Sequence, residues 1–175
     1  GIVESVEALA QLPENFELVL VGGGPPADIA AIRDAIERLG LGGRVVLLDR
    51  VPRDQLHDIL ATCDIGIVYY HTHSLNQHYC ASNKIYEYAQ AGLPMILRCQ
   101  PPLRPLHEKL GVGELIGCQA EKKADEVADM VRACRSIAAD LDSYRANLPA
   151  FLAENRWEDE ARRLCDAVGK VRLGS

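Results

Sequence analysis

Short apolar runs alternate along the chain with segments whose apolar positions recur at helical spacing. Ile2, Val3, Val6, Leu9 and Ala10 form the first periodic segment, and residues 17–21 then make an apolar run ending in Gly22-Gly23-Gly24-Pro25. Such a run suits a strand buried on both faces, whereas the periodic segments suit helices with one buried stripe. Ile29, Ile32, Ile36 and Leu39 mark a second helix, closed by Gly40 and Gly42-Gly43, and residues 44–48 are the next strand. From Pro52, a favourable first helical residue, Leu56, Ile59 and Leu60 turn inward. Residues 64–70 form a third strand, followed by a long polar loop over 71–81. Ser82 or Asn83 caps a short helix that stops at Gly92. Residues 93–97 are a fourth strand, 101–110 a proline-punctuated short helix, and 114–116 a minimal fifth strand. From Lys122 onward the pattern is helical. Val127, Met130, Val131, Cys134 and Ile137 make one stripe, and Trp157, Ala161, Leu164, Cys165 and Val168 another. Pro149 separates the two or kinks what lies between them.

This alternation predicts an α/β architecture around a parallel sheet. A chain of 175 residues is one domain, able to bury about two-thirds of its unfolded surface. Open sheets of this kind bind ligands beyond the carboxyl ends of their strands, here the loops after residues 21, 48, 70 and 97. Composition narrows the partners. A formal charge of -6 argues against a nucleic-acid binder, which normally carries a basic face. No apolar run is long enough for a transmembrane segment, and no charged-then-apolar leader is present. The six cysteines contain no Cys-x-x-Cys. A chain of this length builds its own core, so a disulfide framework is not expected and a reducing, cytoplasmic setting is.

Two stretches carry candidate chemistry. Gly22-Gly23-Gly24 follows a strand, where backbone N–H groups can approach an anion closely, although a plain structural turn reads equally well. The second is the helix start at Ser82-Asn83-Lys84, which offers N–H groups and a cation to a phosphate. Glu87 shares a face with Lys84 and could accept hydrogen bonds from the two hydroxyls of a ribose; a surface i,i+3 ion pair is the plainer alternative. His71, His73, His78 and Cys80 include metal-ligand types but have no partner cluster elsewhere, so no metal is assigned. His57 and His107 read as surface residues.

The second stretch, Asn83-Lys84-Ile-Tyr-Glu87-Tyr-Ala-x-Ala-Gly92-Leu-Pro94, resembles the Pro-Asn-Lys-x-x-Glu-Tyr-x-x-x-Gly-x-Pro pattern of the group 1 GT-B glycosyltransferases. These are retaining enzymes that use nucleotide-sugar donors. Leu18-Val-Leu-Val-Gly-Gly-Gly-Pro25, Arg44-Val-Val-Leu-Leu-Asp-Arg-Val-Pro52, Ala61-Thr-Cys-Asp64-Ile-Gly-Ile and Arg156-Trp157-Glu158 resemble further family segments in the same order. The resemblance implies the C-terminal, donor-binding domain of a GT-B fold, a Rossmann-like doubly wound parallel sheet with helices on both faces spanning 1–175. Glu87 would hold the ribose. Gly22, Gly23 and Gly24, with Ser82, Asn83 and Lys84, would take the pyrophosphate, and the backbone at Arg50 and Val51 would flank the base. Asn76 and Tyr79 would lie near the sugar, Tyr79 standing where many members have a second Glu.

No catalytic residue is identified. The co-substrate would be a UDP- or GDP-linked sugar, with no metal or other cofactor required. The family's first strand of this domain and its N-terminal acceptor domain would be missing, and the helices from about 156 would pack towards that domain. The intact enzyme could touch a membrane peripherally. A nucleotide-sugar 2-epimerase of the same fold and a non-catalytic α/β interaction module are the alternatives.

Overall fold

A computed structural model describes every residue except 72, 73, 81, 120, 121, 174 and 175, with backbone only for 170–173. Strands β1 (Leu18–Val21), β2 (Val45–Leu48), β3 (Gly66–Val68), β4 (Met95–Arg98) and β5 (Gly113–Ile116) alternate with helices α1 (Ile2–Leu9), α2 (Pro26–Arg38), α3 (Arg53–Leu60), α4 (Leu75–Tyr79), α5 (Lys84–Gln90) and α6 (Arg104–Glu108). Helices α7 (Lys123–Ala139), α8 (Leu141–Glu154) and α9 (Trp157–Leu173) complete the chain. Every strand pairing is parallel. Among the described residues the hydrogen bonds divide the strands into two sheets, β1-β2 and β3-β4-β5.

The three-stranded sheet is covered on both sides, as the period of two along a strand allows. Ile96 of β4 packs with Tyr69, Ile116 and the α7 residues Met130, Cys134 and Ile137. Its neighbours Met95 and Leu97 face the other way, onto Ile85, Ala89, Leu103, Leu148 and Phe151. These two layers are the helices-on-both-faces arrangement expected of a doubly wound fold. Close approach dictates two of the glycines. A Cβ on Gly113 would lie 1.8 Å from the Met95 carbonyl oxygen, and one on Gly66 would lie 2.3 Å from the Tyr88 ring.

The two-stranded sheet is covered less completely. Leu18 and Val45 pack beneath α1 and α2 with Val6, Leu9, Ala35 and Leu41, but Val46 and Leu47 remain 42% and 38% exposed. Helix α3 has no buried residue. The expectation that residues 17–21 are buried on both faces is therefore corrected: β1 is only half-buried. One edge of β1 has no strand partner among the described residues, so the sheet offers α3 no broad floor. Arg44 ties the start of β2 back to the α1–β1 connection, donating from Nε to the Phe16 carbonyl at 3.0 Å and from the guanidinium to the Leu12 and Pro13 carbonyls.

Other differences from the sequence reading are local. The stretch expected as loop contains α4, where the Ser74 hydroxyl accepts from the Gln77 N–H. Helix α8 runs through Pro149, so that proline does not separate the last helices; the break after α7 falls at Asp140. The expectation of reduced cysteines is corrected as well: Cys99 and Cys118 form a disulfide across the ends of β4 and β5, with Cα atoms 5.1 Å apart. Parallel neighbours bring successive strand ends side by side, within the usual disulfide span. Among the described residues no helix is long and apolar enough to cross a membrane.

Candidate functional site

The loops after β1 and β2 meet. Gly22 has φ +123°, a conformation that favours glycine, and a Cβ on Gly23 would point at the Arg50 side chain, 3.9 Å from Nε. Gly24 and Arg50 are exposed, and Val51 is half-buried. Pro52 precedes α3, whose Arg53, Leu56, His57 and Leu60 line a shallow cleft of about 50 Å³ together with Glu87 and Gln90 of α5. Glu87 thus faces α3. Among the described residues no ion pair joins it to Lys84, so the plain surface-pair reading does not describe this helix.

At the start of α5 the two candidate caps are resolved. The Ser82 hydroxyl accepts from the Lys84 N–H at 3.2 Å, while the Asn83 side chain makes no cap bond and is exposed. Ser82 is itself buried and shares a 2.8 Å hydrogen bond with the Tyr70 hydroxyl. The Lys84 ammonium lies 4.9 Å from the centre of the Tyr70 ring, a cation–π contact that holds the positive charge beside the helix start. Tyr70 was not singled out in the sequence; its place at the end of the third strand, opening the polar loop, was the available signal. Behind this corner Tyr88 packs over Gly66. Burial, with smaller contributions from Tyr70 and Glu87, pushes its hydroxyl up to about 12.

Asn76 and Tyr79 are carried on α4, both exposed, and the Tyr79 ring stands edge-on to His78 at 4.7 Å. Beneath α4 lies Gln100, wholly buried, whose amide Nε2 donates to the Gln77 carbonyl at 2.7 Å. Nothing in the sequence distinguishes Gln100 from a surface glutamine near prolines.

A charged cluster underlies the same end of the three-stranded sheet. Arg98 donates to the Tyr69 hydroxyl at 2.7 Å and to Glu126 at 2.8 Å, with its other terminal nitrogen 2.6 Å from the second Glu126 oxygen. The Tyr69 hydroxyl also donates to Glu126. Burial first, and then that bond, push the tyrosine well above its ordinary value. Glu4, buried in α1, has His71 and Lys123 at 3.9 Å. His107, expected at the surface, is half-buried and hydrogen-bonded to the Gly113 carbonyl at 2.7 Å. His73, Ala81 and Glu121 lie outside the described residues. Among those described, no three His, Cys, Asp or Glu side chains converge as a metal site.

The chain shares its fold with known proteins. Sucrose-phosphate synthase from Thermosynechococcus elongatus superposes with a TM-score of 0.74 at 22% identity, over 100% of this chain and 43% of its own. HepE from Anabaena, solved in complex with UDP, superposes with a TM-score of 0.72 at 21% identity, over 95% of this chain and 44% of its own. WaaG, a glycosyltransferase involved in lipopolysaccharide biosynthesis, gives 0.64 at 20% identity, over 90% and 40%. At these identities the likeness shows the fold, and the chain spans less than half the length of each. Comparison with curated proteins gives no match. The family model described as glycosyl transferases group 1 matches residues 1–140, and the chain belongs to that family.

Proposed function

We propose that this chain is the donor-binding part of a glycosyltransferase that takes a UDP- or GDP-linked sugar and transfers it with retention. The observation that carries the reading is the cleft between α3 and α5, in a chain of this family, with Glu87 opposite Arg53 and His57. A carboxylate there accepts hydrogen bonds from the vicinal hydroxyls of a ribose, and the backbone at Arg50 and Val51 flanks the base. The diphosphate lies between the Gly22–Gly24 turn and the corner formed by Ser82, Asn83 and Lys84. Backbone N–H groups and one ammonium offset its charge there, so that no metal is needed. Asn76 and Tyr79 border the sugar.

The acceptor would be held by a second, N-terminal domain, for which α9 offers an apolar stripe: Trp157, Leu164 and Val168 are 76%, 61% and 48% exposed. A strand from the segment leading into that domain would pair with the open edges of β1 and β3. The intact enzyme would make peripheral membrane contact if its acceptor is a lipid.

Calorimetric titration of UDP, GDP, ADP and TDP tests the reading. One nucleotide binds, and Glu87→Gln weakens it by roughly tenfold to a hundredfold, the loss expected for hydrogen bonds to a charged group, with an unchanged circular dichroism spectrum. Binding of none of the four overturns the proposal.

A further inference from the structure

The amide of Gln100 is only half used. Its side chain is fully buried, and its backbone carbonyl accepts from the Leu103 and Arg104 N–H groups at 3.0 and 3.1 Å, fixing it at the entry to α6. Nε2 donates to the Gln77 carbonyl in α4. Oε1 has no hydrogen-bond partner among the described residues. Leaving a buried acceptor open costs about 1–3 kcal/mol, and a leucine or methionine would fill nearly the same volume without that cost. Helix α4, for its part, buries none of its residues and leaves Leu75 and Tyr79 79% and 61% exposed. Hydrophobic burial therefore does little to place it, and the bond from Gln100 is a specific tie to the body of the domain.

We propose that Gln100 is a positioning residue for the sugar half of the donor: its buried amide seats α4 through the Gln77 carbonyl, and α4 in turn presents Asn76 and Tyr79 to the sugar. This rests on the donor-binding reading above and adds to it a division of labour. The nucleotide half is held by the α3–α5 cleft, which Gln100 does not line, and the sugar half depends on Gln100.

The test compares UDP with UDP-glucose, and GDP with GDP-mannose as a second pair, by calorimetry on the unaltered protein and on Gln100→Leu and Gln100→Met. The free diphosphate binds the variants within about twofold of its original affinity, whereas the sugar nucleotide is weakened roughly tenfold, the scale of one or two lost hydrogen bonds. Equal weakening of both ligands, or of neither, overturns the proposal. Should both variants misfold, NMR of the Gln100 side-chain amide on the unaltered protein decides: its Nε2 protons, bonded to the Gln77 carbonyl, exchange more slowly with the sugar nucleotide than with the free diphosphate, and equal exchange with the two is the refuting result. If neither ligand of either pair binds the unaltered protein, the donor-binding reading fails and this proposal with it. Binding without the sugar-specific difference removes the Gln100 role alone.

Discussion

Replacing Glu126 with Gln tests how much the charged cluster at the sheet end contributes to the fold. The pair it forms with Arg98 is bidentate, and the two side chains are 13% and 14% exposed. That degree of burial sets the scale. Exposed pairs are worth up to about 1 kcal/mol, whereas breaking a buried one costs about 3–5 kcal/mol. A guanidinium cannot shed its proton, so Glu126→Gln strands a charge beside the Tyr69 ring, 4.9 Å from its centre, and costs about 2–3 kcal/mol. Arg98→Met is milder, about 1–2 kcal/mol, because the abandoned carboxylate sits in the first turn of α7, where the helix dipole favours it, and keeps the Tyr69 hydroxyl. The double variant should lose little more than the worse single. Urea unfolding of all four proteins closes the cycle, with a coupling energy of about 1–2 kcal/mol. In thermal scans Glu126→Gln lowers the midpoint by about 5–10 °C, at roughly 2–4 °C per kcal/mol for a chain of this size. Losses that add to within about 0.5 kcal/mol would refute the reasoning, since independent sites behave that way.

Other perturbations separate roles that look alike in sequence. Gly113→Ala should destabilise by more than about 3 kcal/mol in urea, because its Cβ meets a backbone oxygen that cannot move aside. Gly92→Ala should cost only about 1 kcal/mol, since φ is +75° but the space is empty. In alkylation at pH 8 followed by mass spectrometry, exposed Cys165 reacts first and buried Cys134 resists, its thiol pushed up to about 11 by burial. The folded state holds that proton more tightly than the unfolded chain, so the contribution of Cys134 to stability is present below pH 9 and declines between about pH 9 and pH 11. A Cys134→Ala variant should show a flatter profile over that window. Trp157, the only tryptophan, is 76% exposed, so its emission should be red-shifted and readily quenched by acrylamide, and should move to the blue when a second domain covers α9.

The strands and most helices were legible because their causes are local. The apolar run at 93–97 becomes β4, whose neighbours on both faces supply the burial its composition calls for, and Gly92 ends α5 in the left-handed conformation expected of it. Residues 17–21 have the same composition as a fully buried strand, but burial depends on what pairs beside them, which a run of Val and Leu does not specify. Likewise Ser82 and Asn83 are equally good caps in isolation. Tyr70, twelve residues earlier, selects the serine by engaging its hydroxyl. Arg98 and Gln100 are adjacent to Cys99 yet serve different partners, Glu126 and Gln77. Both pairings span more than twenty residues and leave no trace in the local pattern.

Helix α1 packs against α2 and β1 on one side and α7 on the other, and Phe16 touches the clusters of both halves. The β1–β2–α2 block therefore has few other ties to the remainder. A block joined through so narrow a seam is expected to open as its own cooperative unit, below the free energy of global unfolding. Amides of β1 and β2 should then exchange through a lower-energy opening than those of β4. The Gly22–Gly24 turn and Arg50 belong to the labile unit, while Lys84 and Glu87 belong to the durable one. A ligand touching both units would couple their openings, raising the protection of β1 and β2 in proportion to the logarithm of its concentration above saturation, so the slower exchange of one half would report occupancy of a site shared with the other.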